Sequence, residues 1–252
     1  MIKNLFNNNK ILTSIYGLES KKTQQGICIA HLSDLHEKEF GINNWGLFFK
    51  VKELQPDIIA ITGDLVAHEN QKTANVQYTR ELAEGLCRIA PTFFVTGNHE
   101  RKYEEEICEA LTQGGVVVLK GGVHTLDIRG ARINISGMDD PVIDESHMNS
   151  AIASFAQLDG YNVFLTHRPE IYDLCLRKNI DLVLAGHTHA GQVRIPFFSN
   201  LYMLGQGWFP KYVNGVFTDG DTTMIISRGL GSSGYPTFRL NNPPDLVAVY
   251  IN

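Results

Sequence analysis

Seven side chains able to hold a divalent cation lie in five short pieces of this sequence: Asp34 and His36, Asp64, Asn98, His167, and His187 with His189. Together they offer carboxylate oxygen, amide oxygen and imidazole nitrogen, and no cysteine lies beside any of the pieces. That donor set suits Mn, Fe or Zn better than a structural zinc–thiolate site. Asp34 and His36 are one residue apart, so in a turn after a strand both can enter one crevice. His187 and His189 repeat the device. Asp64 has two oxygens and can bridge two ions. Two ions about 3.5–4 Å apart can activate a water between them and clamp both oxygens of an in-line phosphoryl displacement. His99 directly follows Asn98 and cannot easily share its direction, which leaves it to act as a general acid on the leaving oxygen.

These residues need rigid elements behind them, and each piece follows an apolar run. The clearest is 57–62, a β-branched stretch that reads as a buried strand. Gly63 permits a tight turn there. Asp64 then falls just past the strand's C-terminal end, where open α/β sheets put their ligands. Residues 27–32, 92–96, 161–166 and 181–185 read as strands ending at the other four pieces. Helices are predicted from Asn43 or Asn44 to 54, with Trp45, Phe48, Phe49 and Leu54 on its apolar side, and over 74–89. A third, acidic helix covers 103–112 and stops at Gly114-Gly115. From 116 onward the short strands 116–119, 124–128 and 132–136, with a tight hairpin at 128–131, predict an antiparallel middle after a βαβαβ first half. Helices are predicted again over 145–158 and 169–178, and strands 223–227 and 246–251 are expected to complete a second sheet. The fold class is therefore α/β: a layered α/β/β/α sandwich of two mixed sheets, with the metal site at the C-terminal strand ends.

The 252 residues, 43% hydrophobic and without linker or repeat, read as one domain, with 1–26 as an extension or edge segment and 27–252 as the catalytic core. A net charge of −5 without a basic cluster weighs against a nucleic-acid partner. Cys28, Cys87, Cys108 and Cys175 are far apart in apolar surroundings and read as buried free thiols, which favours a reducing, cytoplasmic setting. Residues 1–16 are too polar to span a bilayer and lack a signal peptide's apolar core.

Asp34-x-His36, Gly63-Asp64, Gly97-Asn98-His99-Glu100, His167 and Gly186-His187-Thr188-His189 occur in the order and spacing of calcineurin-like metallophosphoesterases, which the chain resembles from Ile27 onward. Residues 33–36, 186–192 and 227–231 look most like the bacterial YkuE/YaeI-type phosphodiesterase branch. The resemblance implies a dinuclear centre. One ion would be held by Asp34, His36, Asp64 and His189, the other by Asp64, Asn98, His167 and His187. Mn is the first expectation, Fe or Zn the alternatives. Two departures matter. Ala67 and His68 stand where the protein-phosphatase branch carries an Asp that supports the catalytic His and an Arg that grips phosphate. That argues away from phosphoproteins and leaves His99 to be oriented by another group, with Glu100 as the candidate. Ala190 replaces the first Gly of the branch's His-Gly-Gly-Gln.

The expected substrate is a phosphate ester with a diester or pyrophosphate bond. A nucleotide phosphodiesterase or nuclease is the alternative enzyme, and a catalytically silent metal-binding scaffold the alternative of another class. Arg194 and Arg228 are candidates to hold substrate phosphate, against a structural ion pair for each. His31 reads as a hydrogen-bonded core residue, and His68, His124 and His147 as surface. The aromatic stretch 196–217 has no clean period and follows His189 closely, so it reads either as core or as an apolar lip at the rim. With Trp208 and Tyr202 suited to a bilayer interface, it predicts a lipid-linked substrate met by peripheral membrane contact. Nothing in the sequence sets an oligomeric state.

Overall fold

The computed structural model describes residues 8–23, 25–66, 75–140, 145–191, 202–203, 207–208, 210–232 and 239–252; for 145–147, 202–203 and 207–208 the description covers the backbone. Arg194, Ala67, His68 and the side chains of His147 and of the aromatics from 197 to 209 thus lie outside the description. In chain order the elements are β1 (Leu12–Leu18), β2 (Ile27–Leu32), α1 (Trp45–Glu53), β3 (Ile58–Thr62), α2 (Val76–Cys87), β4 (Thr92–Val95), α3 (Glu104–Gln113), β5 (Val117–Val118), β6 (Val123–Ile128), β7 (Ala131–Gly137), α4 (Glu145–Phe155), β8 (Tyr161–Leu165), α5 (Tyr172–Cys175), β9 (Leu182–Ala185), β10 (Tyr202–Met203), β11 (Gly207–Trp208), β12 (Gly215–Asp219), β13 (Thr222–Ile226) and β14 (Asp245–Ile251).

Two six-stranded mixed sheets face each other, ordered β1-β14-β2-β3-β4-β5 and β12-β13-β9-β8-β7-β6. The period-two alternation of a strand explains how one run serves two cores. In β3, Ile58 and Ala60 enter the layer between the sheets with Val163, Leu165 and Leu184. Ile59 and Ile61 face the other way, onto Leu47, Leu82, Leu86 and Ile107 of the helices. The second sheet does the same: Val183 and Met224 pack under Met148, Ile152 and Phe155. Strands buried on both faces read as continuous apolar runs, as β2, β3 and β9 do. The layered α/β/β/α sandwich is the architecture found.

Three expectations about its parts need correcting. The middle is not antiparallel throughout. Val117–Val118 joins the first sheet parallel to β4, and only β6 and β7 form the expected hairpin; β7, β8 and β9 run parallel. Residues 245–251 do not complete the second sheet but enter the first, between β1 and β2, parallel to one and antiparallel to the other. In α1, Trp45 and Phe49 are 68% and 48% exposed and stack on each other at 5.3 Å, while Leu47 and Val51 carry the buried face. Periodicity alone could not say which of two overlapping apolar stripes turns inward. At the described end of 196–217 the core alternative applies: Tyr212 is buried against Tyr172 and Phe217. Among the cysteines, Cys28, Cys108 and Cys175 are buried and Cys87 half-buried, all as free thiols. No described helix is long and apolar enough to cross a membrane.

Candidate metal centre

The loops after β2, β3, β4, β8 and β9 meet at one end of the sandwich, and backbone bonds stitch them together. Asp34 and His36 donate their amides to the carbonyls of Gly63 and Asp64, both at 3.0 Å. Gly186 donates to His167 O, and Leu230 to Ser33 O. Asp34, His36, Asp64, His187 and His189 all have positive φ, between 48° and 69°. Left-handed backbone is unfavourable for residues with a Cβ, and such strain clusters at functional sites. It is held here because two loops approach too closely to do otherwise. At Gly63, itself at φ +82°, a Cβ would strike the backbone of Gly97; at Gly186 a Cβ would strike Ser33 Oγ and Asp34 Oδ2.

All seven candidate ligands come together, as two clusters around Asp64. In the first, His189 Nε2 lies 3.0 Å from His36 Nε2 and 3.4 Å from Asp34 Oδ1, and the three residues are buried. In the second, His167 Nε2 lies 3.3 Å from Asp64 Oδ2, 3.1 Å from Asn98 Oδ1 and 3.1 Å from His187 Nδ1. Asp64 Oδ2 also lies 3.8 Å from His36 Nε2 and 3.9 Å from His99 Nε2, and its Oδ1 accepts the His99 amide at 2.9 Å. His36 and His99 rings meet edge-on at 4.6 Å.

The outer partners fix which nitrogen faces inward. His36 Nδ1 donates to Val66 O at 3.1 Å, and His167 Nδ1 to Thr62 O at 2.7 Å, since a carbonyl can only accept. That turns both Nε2 atoms toward the cluster, the arrangement metal-ligating imidazoles adopt. Burial holds His36 at about 4 and His187 at about 3, and drives His189 well below its ordinary range, so their rings stay neutral. Burial raises Asp34 to about 6, with Asp64 adding to the effect. Burial opposes charge on Asp64 too, but His167 outweighs it and holds the carboxylate well below its usual range. Burial likewise opposes charge on His167, and Asp64 outweighs it, lifting the imidazole to about 10. Two buried carboxylates among neutral imidazoles give the hollow a negative charge. A single proton shared by Asp64 and His167 only partly offsets it, so the donors fit divalent cations in charge, chemistry and spacing.

A sequence model for the calcineurin-like phosphoesterases matches residues 28–191. The chain belongs to that family. Like other calcineurin-like phosphoesterases it is a metal-dependent hydrolase, from a family built on a dinuclear divalent centre. It is 28% identical over 230 residues to phosphodiesterase YaeI of Escherichia coli, covering 87% of this chain and 80% of that one. It is 26% identical over 220 residues to the metallophosphoesterase YkuE of Bacillus subtilis, covering 85% and 73%. Its fold resembles that of a dimetal phosphatase from Danio rerio, at a TM-score of 0.51 and 10% identity, covering 81% and 88%.

In this phosphoesterase some expected roles fall elsewhere. Glu100 does not aim its carboxylate at His99. Both oxygens are taken up by the backbone amides of Asp64, Leu65, Val66 and Gly97, at 2.6–3.2 Å, so Glu100 clamps the β3 and β4 loops together. Arg228 is not among the convergent residues. Its guanidinium grips both oxygens of Asp245, at 3.1 and 2.9 Å, and reaches Ser14 Oγ. His31 is a core residue bonded to Thr62 Oγ1 at 2.8 Å, and His124 is exposed. Two arginines outside the ligand motifs also touch the centre. Arg239, fully buried, donates to His189 Nδ1 at 2.9 Å; it lies far beyond the last motif in a stretch without periodicity, so nothing marked it. Arg168 holds Asp140 and lies 3.3 Å from His187 Nε2; its position directly after His167 was the available signal.

Proposed function

We propose that the two clusters form one dinuclear centre and that the chain hydrolyses a phosphodiester or pyrophosphate bond. The observation that carries this reading is the position of Asp64, whose Oδ2 is within 4 Å of His36, His99 and His167 at once, between the two clusters. Asp34, His36, Asp64 and His189 would hold one ion, and Asp64, Asn98, His167 and His187 the other. Mn fits the mixed oxygen and imidazole donors, with Fe or Zn as alternatives. When bound, a divalent pair supplies an activated water and positive charge on the phosphoryl oxygens.

The chain's own residues supply the rest. Glu100 and the crossing backbone bonds fix the loops, so the donors need not reorganise. His99 is half-buried at the rim, its amide pinned to Asp64 and its ring edge-on to that of His36. As the bond from phosphorus to the incoming water oxygen forms, the bond to the leaving oxygen breaks. His99 then hands that oxygen a proton. The similarity to a protein named phosphodiesterase supports a diester over a phosphoprotein. His99→Asn should cut turnover of an alkyl diester by roughly 10²–10⁴-fold with metal content unchanged, and by less for bis-p-nitrophenyl phosphate. Equal losses on both substrates would remove the acid role. Failure of the manganese-loaded wild type to hydrolyse either would sink the diester reading.

A lipid-linked substrate met at a membrane face is favoured by one described feature. Ile42, Trp45 and Phe49 are exposed at the start of α1, on the end of the sheet where β2 delivers Asp34 and His36. Interfacial Trp beside aliphatic and aromatic neighbours suits the headgroup level of a bilayer. Serine at both Trp45 and Phe49 should weaken hydrolysis of a lipid pyrophosphate in mixed micelles and spare a small soluble diester. Equal rates with and without the aromatics would end the idea.

A further inference from the structure

The two arginines that touch the centre differ in what remains of their hydrogen-bonding capacity. Arg239 is held in place by three carbonyls, Nε donating to Gly231 O, Nη1 to Asn242 O and Nη2 to Arg228 O, and the side chain is buried. Arg168 stands at the open end with its side chain 31% exposed. Its Nε donates to both oxygens of Asp140, at 2.7 and 3.0 Å, which anchors the guanidinium by one edge. Asp140 is itself buried and fixed by a bond from its amide to Thr96 Oγ1. Nη1 lies 3.3 Å from His187 Nε2, and Nη2 has no partner among the described residues.

The contact with His187 cannot survive metal loading. His187 turns Nδ1 toward His167 and the centre. With Nδ1 committed to an ion, the neutral ring must carry its hydrogen on Nε2. A guanidinium has donors only and cannot accept that hydrogen. The Nη edge of Arg168 is then released while Asp140 keeps hold of Nε. A paired Nη1/Nη2 edge, charged and half-desolvated beside the second cluster, matches the spacing of two phosphoryl oxygens.

We propose that Arg168, pivoting on Asp140, binds the phosphoryl oxygens of the substrate at the His187 side of the centre. This rests on the dinuclear reading above, and its test does not need turnover. Titrate inorganic phosphate into the manganese-loaded wild type and into Arg168→Gln, Arg168→Lys and Asp140→Asn, with metal content and thermal melts measured on each. Arg168→Gln should weaken phosphate binding about 10–100-fold, the worth of a charge-assisted pair, while keeping its metal. Arg168→Lys should fall between, because it keeps the charge but loses the fork, and Asp140→Asn should lose less than Arg168→Gln. In steady state the loss should sit mainly in KM. Unchanged phosphate affinity in Arg168→Gln and Arg168→Lys would overturn the proposal. So would loss of an ion from either variant, since Arg168 would then be positioning His187. A chain that binds phosphate through Arg168 but hydrolyses no diester would leave this inference standing and remove the diester reading instead.

Discussion

The two ends of the centre are built differently. At the Asp34–His36–His189 end every donor is buried, and the far side of each ring is closed by protein: Val66 O behind His36, Arg239 behind His189. At the other end His167 is buried but Asn98 and His187 are only half-buried, His99 stands at the rim, and the group behind His187 is the partly exposed Arg168. A closed end suits an ion that stays. An open end suits one that meets substrate. Burial keeps competing water from the donors, so the closed end should hold its ion more tightly.

Asp64→Ala would erase the comparison, since both ends share its carboxylate. It should lose both ions by elemental analysis and lower turnover by on the order of 10³-fold or more, the loss expected when metal stabilisation of transition-state charge disappears. A variant that still holds one tight ion would mean that the ends are independent sites.

His187→Ala and His189→Ala sharpen the comparison. Each should keep one ion, but not the same one. The ion left in His187→Ala, at the closed end, should outlast a chelator about tenfold longer than the ion left in His189→Ala. Equal lifetimes would mean that burial does not set retention.

The smallest effect is in pH. In the metal-free chain His167 is lifted from 6.5 to about 10 by Asp64, against the opposing effect of burial. The folded state therefore binds a proton that the unfolded state has lost. This contribution is complete below pH 6.5 and fades as pH rises toward 10. Cations must displace that proton, so metal uptake should strengthen over the same interval. Thermal melts of chelated protein should fall from pH 6.5 to 9.5, while the stabilisation gained on adding manganese widens. A chelated melt that rises with pH would remove the Asp64–His167 proton from the account.

The donors were legible because each piece follows an apolar run that ends in a small residue: Gly before Asp64, Asn98 and His187, Ser or Thr before Asp34 and His167. Their convergence follows from where parallel strands end. What the sequence concealed was long-range. Nothing local distinguishes β14, an apolar run like β13, as a strand of the first sheet; that depends on which edge of β2 is left open. Glu100 was visible as part of a motif, but four backbone amides from two loops had to be in place before its role was. Arg239 and Asp140 act through contacts between segments far apart in the chain, and composition carries no trace of them.

The place of β14 has a consequence for how the protein is made. When a ribosome has just added His189, every one of the seven donors exists in the nascent chain, but neither sheet is complete. β13 has yet to cover β9, and β14 has yet to fill the gap between β1 and β2, the strand that delivers Asp34 and His36. Until residues 245–251 emerge, β2 presents an open apolar edge of the kind that pairs with other chains. The metal centre can thus be encoded early but assembled only once 245–251 has been made, and its loading must follow β14 rather than the last ligand.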